Sequence, residues 1–170
     1  MRVDPNQGYS PREVTTFVQR TAELDIEFIE QPMPADRVDA LRELPQSTRR
    51  RIAADEMLLS EGDALDLVAP PPACGIFNIK LMKCGGVASA LRIADIADVA
   101  GAELMWGCMD ESIISISAAL HAALASPATR YLDLDGSLDL SRDVVSGGFS
   151  LKDGIMRTLD APGLGLKPLQ

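Results

Sequence analysis

Four charged side chains recur at near-regular intervals in the first half of the sequence. Asp4, Glu30, Asp55 and Lys80 each lie at or near the end of a predicted β-strand, one βα unit apart. Because the parallel strands of a barrel bring their carboxyl ends to one mouth, these groups are expected to converge. Three crowded carboxylates repel one another unless a cation lies among them, and oxygen ligands with room for substrate and water favour Mg²⁺ over Ca²⁺. The pattern predicts a Mg²⁺ site at Asp4, Glu30 and Asp55; the alternative is three unrelated, solvated acids at loop starts.

Lys80 is the residue that could move a proton. It lies in the apolar segment 76–86, which is interpreted as one strand buried on both faces, with Asn78, Lys80 and Met82 on the same face. Burial removes water from the ammonium group and is expected to lower its pKa, which makes Lys80 a candidate acid/base. The alternative is a lysine that snorkels at a strand end. Lys83 is expected to point to the other face and to have a structural role.

The elements that must position these residues alternate along the chain. Strands are predicted at the start of the chain and around residues 26–32, 51–56, 76–86, 103–107 and 130–135, with helices between them. This order predicts parallel strands joined by right-handed crossovers, in an α/β fold of about six βα units over residues 1–142. Since a complete (β/α) barrel takes about 250 residues, an incomplete barrel is expected. Residues 143–170 are predicted to form short strands and an extended tail without helices.

Composition and charge argue against several classes of protein. The 170 residues carry a net charge of −9 and no extended basic run, which argues against nucleic-acid binding. The three cysteines form no CxxC pair, so neither a disulfide framework nor a zinc cluster is indicated, and a reducing, cytoplasmic setting is expected. The longest uncharged run, residues 112–129, contains serines, a histidine and a proline, and is interpreted as a buried helix, not a membrane span.

The motifs around the four charged groups resemble the barrel domain of the enolase superfamily, muconate-lactonizing subgroup. The matching segments are Val3-Asp4-Pro5-Asn6, Ile29-Glu30-Gln31-Pro32, Ala54-Asp55-Glu56 and Asn78-Ile79-Lys80-Leu81-Met82-Lys83-Cys84-Gly85-Gly86. The resemblance implies that Asp4, Glu30 and Asp55 bind Mg²⁺ and that Lys80 is the acid/base on one face of the substrate. Members of the superfamily abstract the proton α to a carboxylate, and the metal stabilises the enediolate. This chemistry agrees with the residues, because such a proton is too weakly acidic to leave without a nearby cation.

Within the subgroup, residues 78–83 together with Asp133-Leu134-Asp135 resemble the dipeptide epimerases of the L-Ala-D/L-Glu type. The resemblance implies that the Asp-x-Asp pair binds the free ammonium group of a dipeptide. Strand alternation would place Asp133 and Asp135 on one face, where two carboxylates can share a cation. The alternative is a turn aspartate, because Asp135-Gly136 is also a turn signal. The other activities left open are those of muconate cycloisomerases, N-acylamino acid racemases and o-succinylbenzoate synthases.

A further substrate contact is implied by the segment Gly107-Cys108-Met109. The resemblance implies that its backbone N–H groups bind a substrate carboxylate, so Cys108 and Met109 are candidate binding residues. Neither Cys84 nor Cys108 has a neighbour that would make its thiol a reactive thiolate.

The sequence departs from the family pattern in one respect. The resemblance implies a second catalytic lysine in a Lys-x-Lys motif and an N-terminal capping domain, whereas the lysines of this chain lie at 80, 83, 152 and 167. We therefore interpret the chain as the C-terminal barrel portion of such an enzyme, with residues 143–170 expected to pack on the capping domain. A second hypothesis is a non-catalytic subunit that associates with another chain, or with itself as a homo-oligomer, through open barrel edges.

Overall fold

A single parallel sheet forms the framework of the protein. The computed structural model describes residues 1–169, and Gln170 lies outside the described residues. The strands are β1 Arg2–Val3, β2 Phe28–Glu30, β3 Ile52–Ala54, β4 Ile76–Ile79, β5 Glu103–Trp106 and β6 Thr129–Leu132. They form a six-stranded sheet in the order β1-β2-β3-β4-β5-β6, in which each strand pairs in parallel with the next. The predicted incomplete (β/α) barrel is confirmed.

Helices connect successive strands. They are α1 Pro11–Arg20, α2 Val38–Arg42, α3 Gln46–Arg49, α4 Glu61–Val68, α5 Leu81–Cys84, α6 Val87–Ala100 and α7 Ile113–Ala125. A capping box fixes the start of α1, in which Ser10 Oγ accepts the Glu13 N–H and Glu13 Oε2 accepts the Ser10 N–H. None of the helices in residues 1–169 is both long and apolar enough to cross a membrane.

The segment around Lys80 differs from the prediction. Strand β4 ends at Ile79, and Lys80 is the N-cap of the short helix α5. The Lys80 carbonyl accepts the N–H groups of Lys83 and Cys84 at 3.0 and 3.2 Å, so the chain turns into a helix one residue after the strand. The predicted alternation to Met82 is therefore wrong, and the Met82 side chain is 67% exposed. Gly85, with φ of +85°, ends the helical turn, a conformation that glycine adopts without strain.

Apolar side chains pack on both faces of the sheet. The larger cluster lies between sheet and helices, and its largest members on the strands are Ile52, Phe77, Ile79, Leu104 and Trp106. The smaller cluster lies on the other face and comprises Phe28, Ala53, Ile76 and Met105, with Tyr131 packed against it.

The sheet curls strongly, which is evident from side chains of distant strands that meet across this second, concave face. The rings of Phe28 on β2 and Tyr131 on β6 lie with centroids 4.9 Å apart. The Arg2 guanidinium of β1 lies 5.4 and 5.0 Å from the same two ring centroids. This layer of side chains forms the floor beneath the residues at the carboxyl ends of the strands.

The chain after the barrel is held on α7. It forms β7 Val145–Gly147, β8 Phe149–Lys152, β9 Ile155–Thr158 and β10 Leu166–Pro168, paired as β7 with β10 and as a β8–β9 hairpin. Asp143 fixes the start of this tail, since its carboxylate accepts the Ile113 N–H at 2.7 Å and the Ser112 hydroxyl at 2.8 Å. The predicted strand character and absence of helix are confirmed for residues 143–169, and packing on a capping domain stays a prediction.

Candidate active site

The sequence-predicted acids lie on the concave face, one layer above the Phe28–Tyr131 cluster. Glu30, Asp55 and Asn78 each come two residues after a member of that cluster, which are Phe28, Ala53 and Ile76 respectively. Because side chains two residues apart in a strand lie on the same face, these three polar side chains also lie on the concave face, nearer the carboxyl ends of the strands. Glu30 is 8% exposed, Asp55 is 5% and Asn78 is fully buried.

Asp55 is the centre of the site. Its Oδ2 accepts a hydrogen bond from Lys80 Nζ at 2.7 Å, and its Oδ1 accepts one from Lys83 Nζ. Lys83 Nζ also donates to the carbonyls of Asp55 at 2.6 Å and of Asn78 at 3.3 Å. The prediction that Lys83 points away from Lys80 is wrong, because residues three apart on a helical turn lie on the same side.

The two lysines have opposite pKa shifts. Burial lowers the pKa of Lys80, but the hydrogen bond and charge of Asp55 and the charges of Glu30 and Glu56 outweigh it, so the pKa is raised. The predicted lowering is therefore wrong for Lys80 among these partners. Lys83 is more deeply buried, and burial lowers its pKa despite the adjacent Asp55 carboxylate.

The pKa values of the other two predicted ligands, Glu30 and Asp4, are both raised. The pKa of Glu30 is raised to about 7, mainly by burial. The hydrogen bond from Asn78 lowers this pKa, and the charges of Asp55 and Asp4 raise it further. The pKa of Asp4 is also raised, mainly by burial. The hydrogen bond from the Asn6 N–H lowers it, and the charges of Glu56 and Asp55 raise it further. The carboxylates are thus near enough to repel one another, as the sequence predicts.

Two supporting residues were not predicted from the sequence. Gln31 is fully buried, and its Oε1 accepts the N–H of Asp55 at 2.9 Å and that of Met57 at 3.3 Å, which ties the ends of β2 and β3 together. Glu56 accepts a hydrogen bond from Gln7 Nε2 at 3.0 Å, while its Oε2 is buried with no hydrogen-bond partner within the described residues. The available signal was the presence of polar residues beside buried strand ends, immediately next to Glu30 and Asp55.

The Asp-x-Asp pair lies beyond the strand that was predicted to carry it. Strand β6 ends at Leu132, so the predicted strand bound is wrong, whereas the predicted alternation holds: Asp133 and Asp135 are both exposed and Leu134 between them is buried. The Leu138 N–H donates to the Asp135 carbonyl at 2.7 Å, which also bears out the turn at this position. A turn and a pair of outward-facing carboxylates therefore coexist.

In the segment after β5, fewer backbone N–H groups are available to a substrate than predicted. The Gly107 N–H donates to the Ile79 carbonyl at 3.0 Å, and the Met109 N–H donates to Glu111 Oε1 at 2.8 Å. The structure therefore gives no support to these two N–H groups as substrate contacts. Cys108 stays a predicted contact; its Sγ lies 3.2 Å from the Asp133 carbonyl, and burial raises the pKa of its thiol, as expected for an unreactive cysteine.

Gly107 provides the space that Asn78 and Lys80 occupy. A Cβ at this position would lie 2.5 Å from Asn78 Oδ1 and 3.0 Å from Lys80 Cε. We expect Gly107→Ala to lower the free energy of unfolding by about 1–3 kcal/mol, because both buried neighbours must shift. Gly62→Ala is the matched control, since its methyl group meets only Ser60 Oγ at an ordinary 3.5 Å inside α4. Urea unfolding that shows equal stabilities for the two variants would contradict this reading of the site.

The comparisons with known proteins agree with this geometry. A family model described as "Enolase C-terminal domain-like" matches residues 1–170. The chain belongs to this family. It is 67% identical to an L-Lys-D/L-Arg epimerase of Methylococcus capsulatus, over 98% of this chain and 47% of that protein. It is 38% identical to an L-Ala-D/L-Glu epimerase of Clostridium acetobutylicum, with 98% and 47% covered.

A solved structure gives the same picture. The crystal structure of a dipeptide epimerase from Methylococcus capsulatus, complexed with Mg and the dipeptide L-Arg-D-Lys, superimposes with a TM-score of 0.95 at 67% identity over 97% of this chain and 47% of that one. The predicted resemblance to the enolase superfamily and its dipeptide epimerases is confirmed. The chain spans about half the length of the curated relatives it matches.

The acidic end of the sheet has the chemistry of a Mg²⁺ site. The donors are all carboxylate oxygens, which suits a hard cation; burial, together with the charges of neighbouring carboxylates, raises the pKa values of Asp4 and Glu30. Within residues 1–169, however, no three Asp, Glu, His or Cys side chains are grouped closely enough to hold a metal. Asp55 is turned to its lysines and Glu30 to Asn78. The residues fit the ion chemically, and the ligand set stays a prediction.

Proposed function

We propose that this chain forms the acid/base and metal-binding half of a Mg²⁺-dependent dipeptide epimerase. The observation that carries the proposal is the Lys80 ammonium group on Asp55, at the same end of the sheet as Glu30 and Asp4. The relatives support the reaction class, since they are named as epimerases of dipeptides.

The substrate class follows from charge and similarity. The identity is 67% to an L-Lys-D/L-Arg epimerase and 38% to an L-Ala-D/L-Glu epimerase, which favours a dipeptide with basic side chains. The net charge of −9 supports this, because a negative protein field attracts a cationic ligand.

Each residue of the site then has a defined role. Asp4, Glu30 and Asp55 would hold Mg²⁺, and the bound ion would offset the negative charge that grows on the substrate carboxylate as the α-proton leaves. Lys80 Nζ exchanges that proton on one face of the substrate. Asn78 fixes Glu30 through the 2.5 Å hydrogen bond from Nδ2 to Oε1.

The proposal is tested by isotope exchange. The intact protein is incubated with Mg²⁺ and L-Lys-L-Arg in deuterated water, and exchange and inversion at the second residue are followed by NMR. We expect faster turnover than with L-Ala-L-Glu, and loss of turnover when EDTA removes Mg²⁺. Faster turnover of an N-acyl amino acid or of a lactone-forming diacid than of any dipeptide would overturn the epimerase assignment.

The Asp-x-Asp pair provides a second, independent prediction. Asp133→Asn and Asp135→Asn are each expected to weaken binding of dipeptides with a free N-terminus by about 10- to 100-fold, because a hydrogen bond to a charged group contributes about 1.5–3 kcal/mol. N-acetylated dipeptides, which carry no ammonium group, are expected to bind the variants as well as the parent protein. Asp139→Asn, an exposed acid of the same loop, is the control. An equal loss for both kinds of dipeptide would show that the pair does not bind the ammonium group.

Association through the sheet edges is a second proposal. Strands β1 and β6 are the outer strands of the sheet, and in residues 1–169 they pair on one side only. Sedimentation equilibrium tests this, and a monomer at all concentrations would contradict it.

A further inference from the structure

Two lysines share Asp55, and their surroundings differ. The side chain of Lys80 is 15% exposed and that of Lys83 is 6% exposed. Lys83 Nζ has three acceptors, which are Asp55 Oδ1, the Asp55 carbonyl and the Asn78 carbonyl. An ammonium group has three N–H donors, so those of Lys83 are all used.

Lys80 is not saturated in this way. Within residues 1–169 its ammonium group has one hydrogen-bond acceptor, Asp55 Oδ2 at 2.7 Å. Two N–H donors remain, and its aliphatic chain lies beside Gly107, where the absence of a Cβ leaves room for it. Lys80 can therefore turn away from Asp55, whereas Lys83 would have to break three hydrogen bonds.

From this asymmetry we infer that Lys83 is a positioning residue, which holds Asp55 by Oδ1 so that Oδ2 can pass from Lys80 to a divalent cation. The inference rests on the proposed function, because it concerns the same cation site. The two lysines then have opposite relations to the cation: Lys80 competes with it for Oδ2, and Lys83 keeps the carboxylate in the orientation that receives it.

A purely electrostatic role would give a different result. Both lysines place a positive charge on Asp55, and charge alone would repel a divalent cation in both cases. Removal of either charge would then strengthen Mg²⁺ binding. Positioning predicts opposite signs for the two variants.

The test compares Lys83→Met with Lys80→Met in the intact protein by titration calorimetry with Mg²⁺. We expect Lys83→Met to weaken Mg²⁺ binding by about 10- to 100-fold, the usual effect of losing a group that orients a metal ligand. Lys80→Met is expected to bind Mg²⁺ as tightly as the parent protein, or more tightly. Equal or tighter binding by Lys83→Met would overturn the inference.

Kinetics provide a second readout. The Mg²⁺ concentration needed for half-maximal turnover should rise by about 10- to 100-fold in Lys83→Met, in step with the weakened Mg²⁺ binding. A folded Lys83→Met protein that binds Mg²⁺ but stays inactive would make Lys83 a catalytic residue and overturn its positioning role. If the methionine variant does not fold, Lys83→Gln is used with the same criteria. Failure of the parent protein itself to bind Mg²⁺ would instead refute the proposed function.

Discussion

We expect the replacement of Lys80 by alanine to abolish the inversion of configuration that is proposed for this protein. Epimerisation delivers a proton to the face opposite the one from which it was removed, so it needs an acid/base group on each face. We expect the inversion rate to fall by at least about 10³-fold, within the range for loss of a general acid/base. The measurement is optical rotation of L-Lys-L-Arg at saturating Mg²⁺.

Loss of inversion should be separable from loss of exchange. The family resemblance implies an opposing lysine in a Lys-x-Lys motif, and such a group would still exchange the α-proton of one epimer in deuterated water when Lys80 is absent. Lys152→Ala, which removes an exposed lysine of the tail, is the control and should behave like the parent. Retention of inversion in Lys80→Ala would remove Lys80 from the mechanism.

The convergence of the acids could be predicted from the sequence because it depends on simple periodicities. Asp4 and Asp55 directly follow β1 and β3, Glu30 ends β2, and parallel strands bring their carboxyl ends to one edge whatever the details of packing. Residue positions alone were therefore enough to identify the end of the sheet that carries the site. The curl that brings Tyr131 of β6 onto Phe28 of β2 was not accessible, because it depends on the twist of the assembled sheet.

The environment of the lysines could not be predicted for a physical reason. The segment after Ile79 has the apolar pattern of a strand, and whether the strand continues or a helical turn begins depends on tertiary partners. Lys83 finds those partners on Asp55, far along the chain, and the turn places it beside Lys80. The predicted lowering of the Lys80 pKa was wrong for a similar reason, because it considered burial without the hydrogen bond and charge of Asp55 and the charges of Glu30 and Glu56, which together outweigh it.

Asp55→Asn is expected to abolish measurable Mg²⁺ binding. The change keeps the shape of the side chain but removes the charge that offsets both the ion and two ammonium groups. Mg²⁺ would then have to enter a site in which Lys80 and Lys83 are unpaired, so we expect a loss of at least about 100-fold in affinity by calorimetry. Asp110→Asn, an exposed acid on the loop after β5, makes the same change in net charge and is expected to bind Mg²⁺ normally.

The same substitution should destabilise the fold, and a double variant separates the two effects. An unpaired buried Lys83 is expected to lower the free energy of unfolding by about 3–5 kcal/mol, as removing one partner of a buried pair does. Lys83→Met added to Asp55→Asn removes the stranded charge, so it should restore most of the stability in urea unfolding and none of the Mg²⁺ binding. If stability and Mg²⁺ binding return together in the double variant, Asp55 is a structural partner of Lys83 and not a metal ligand.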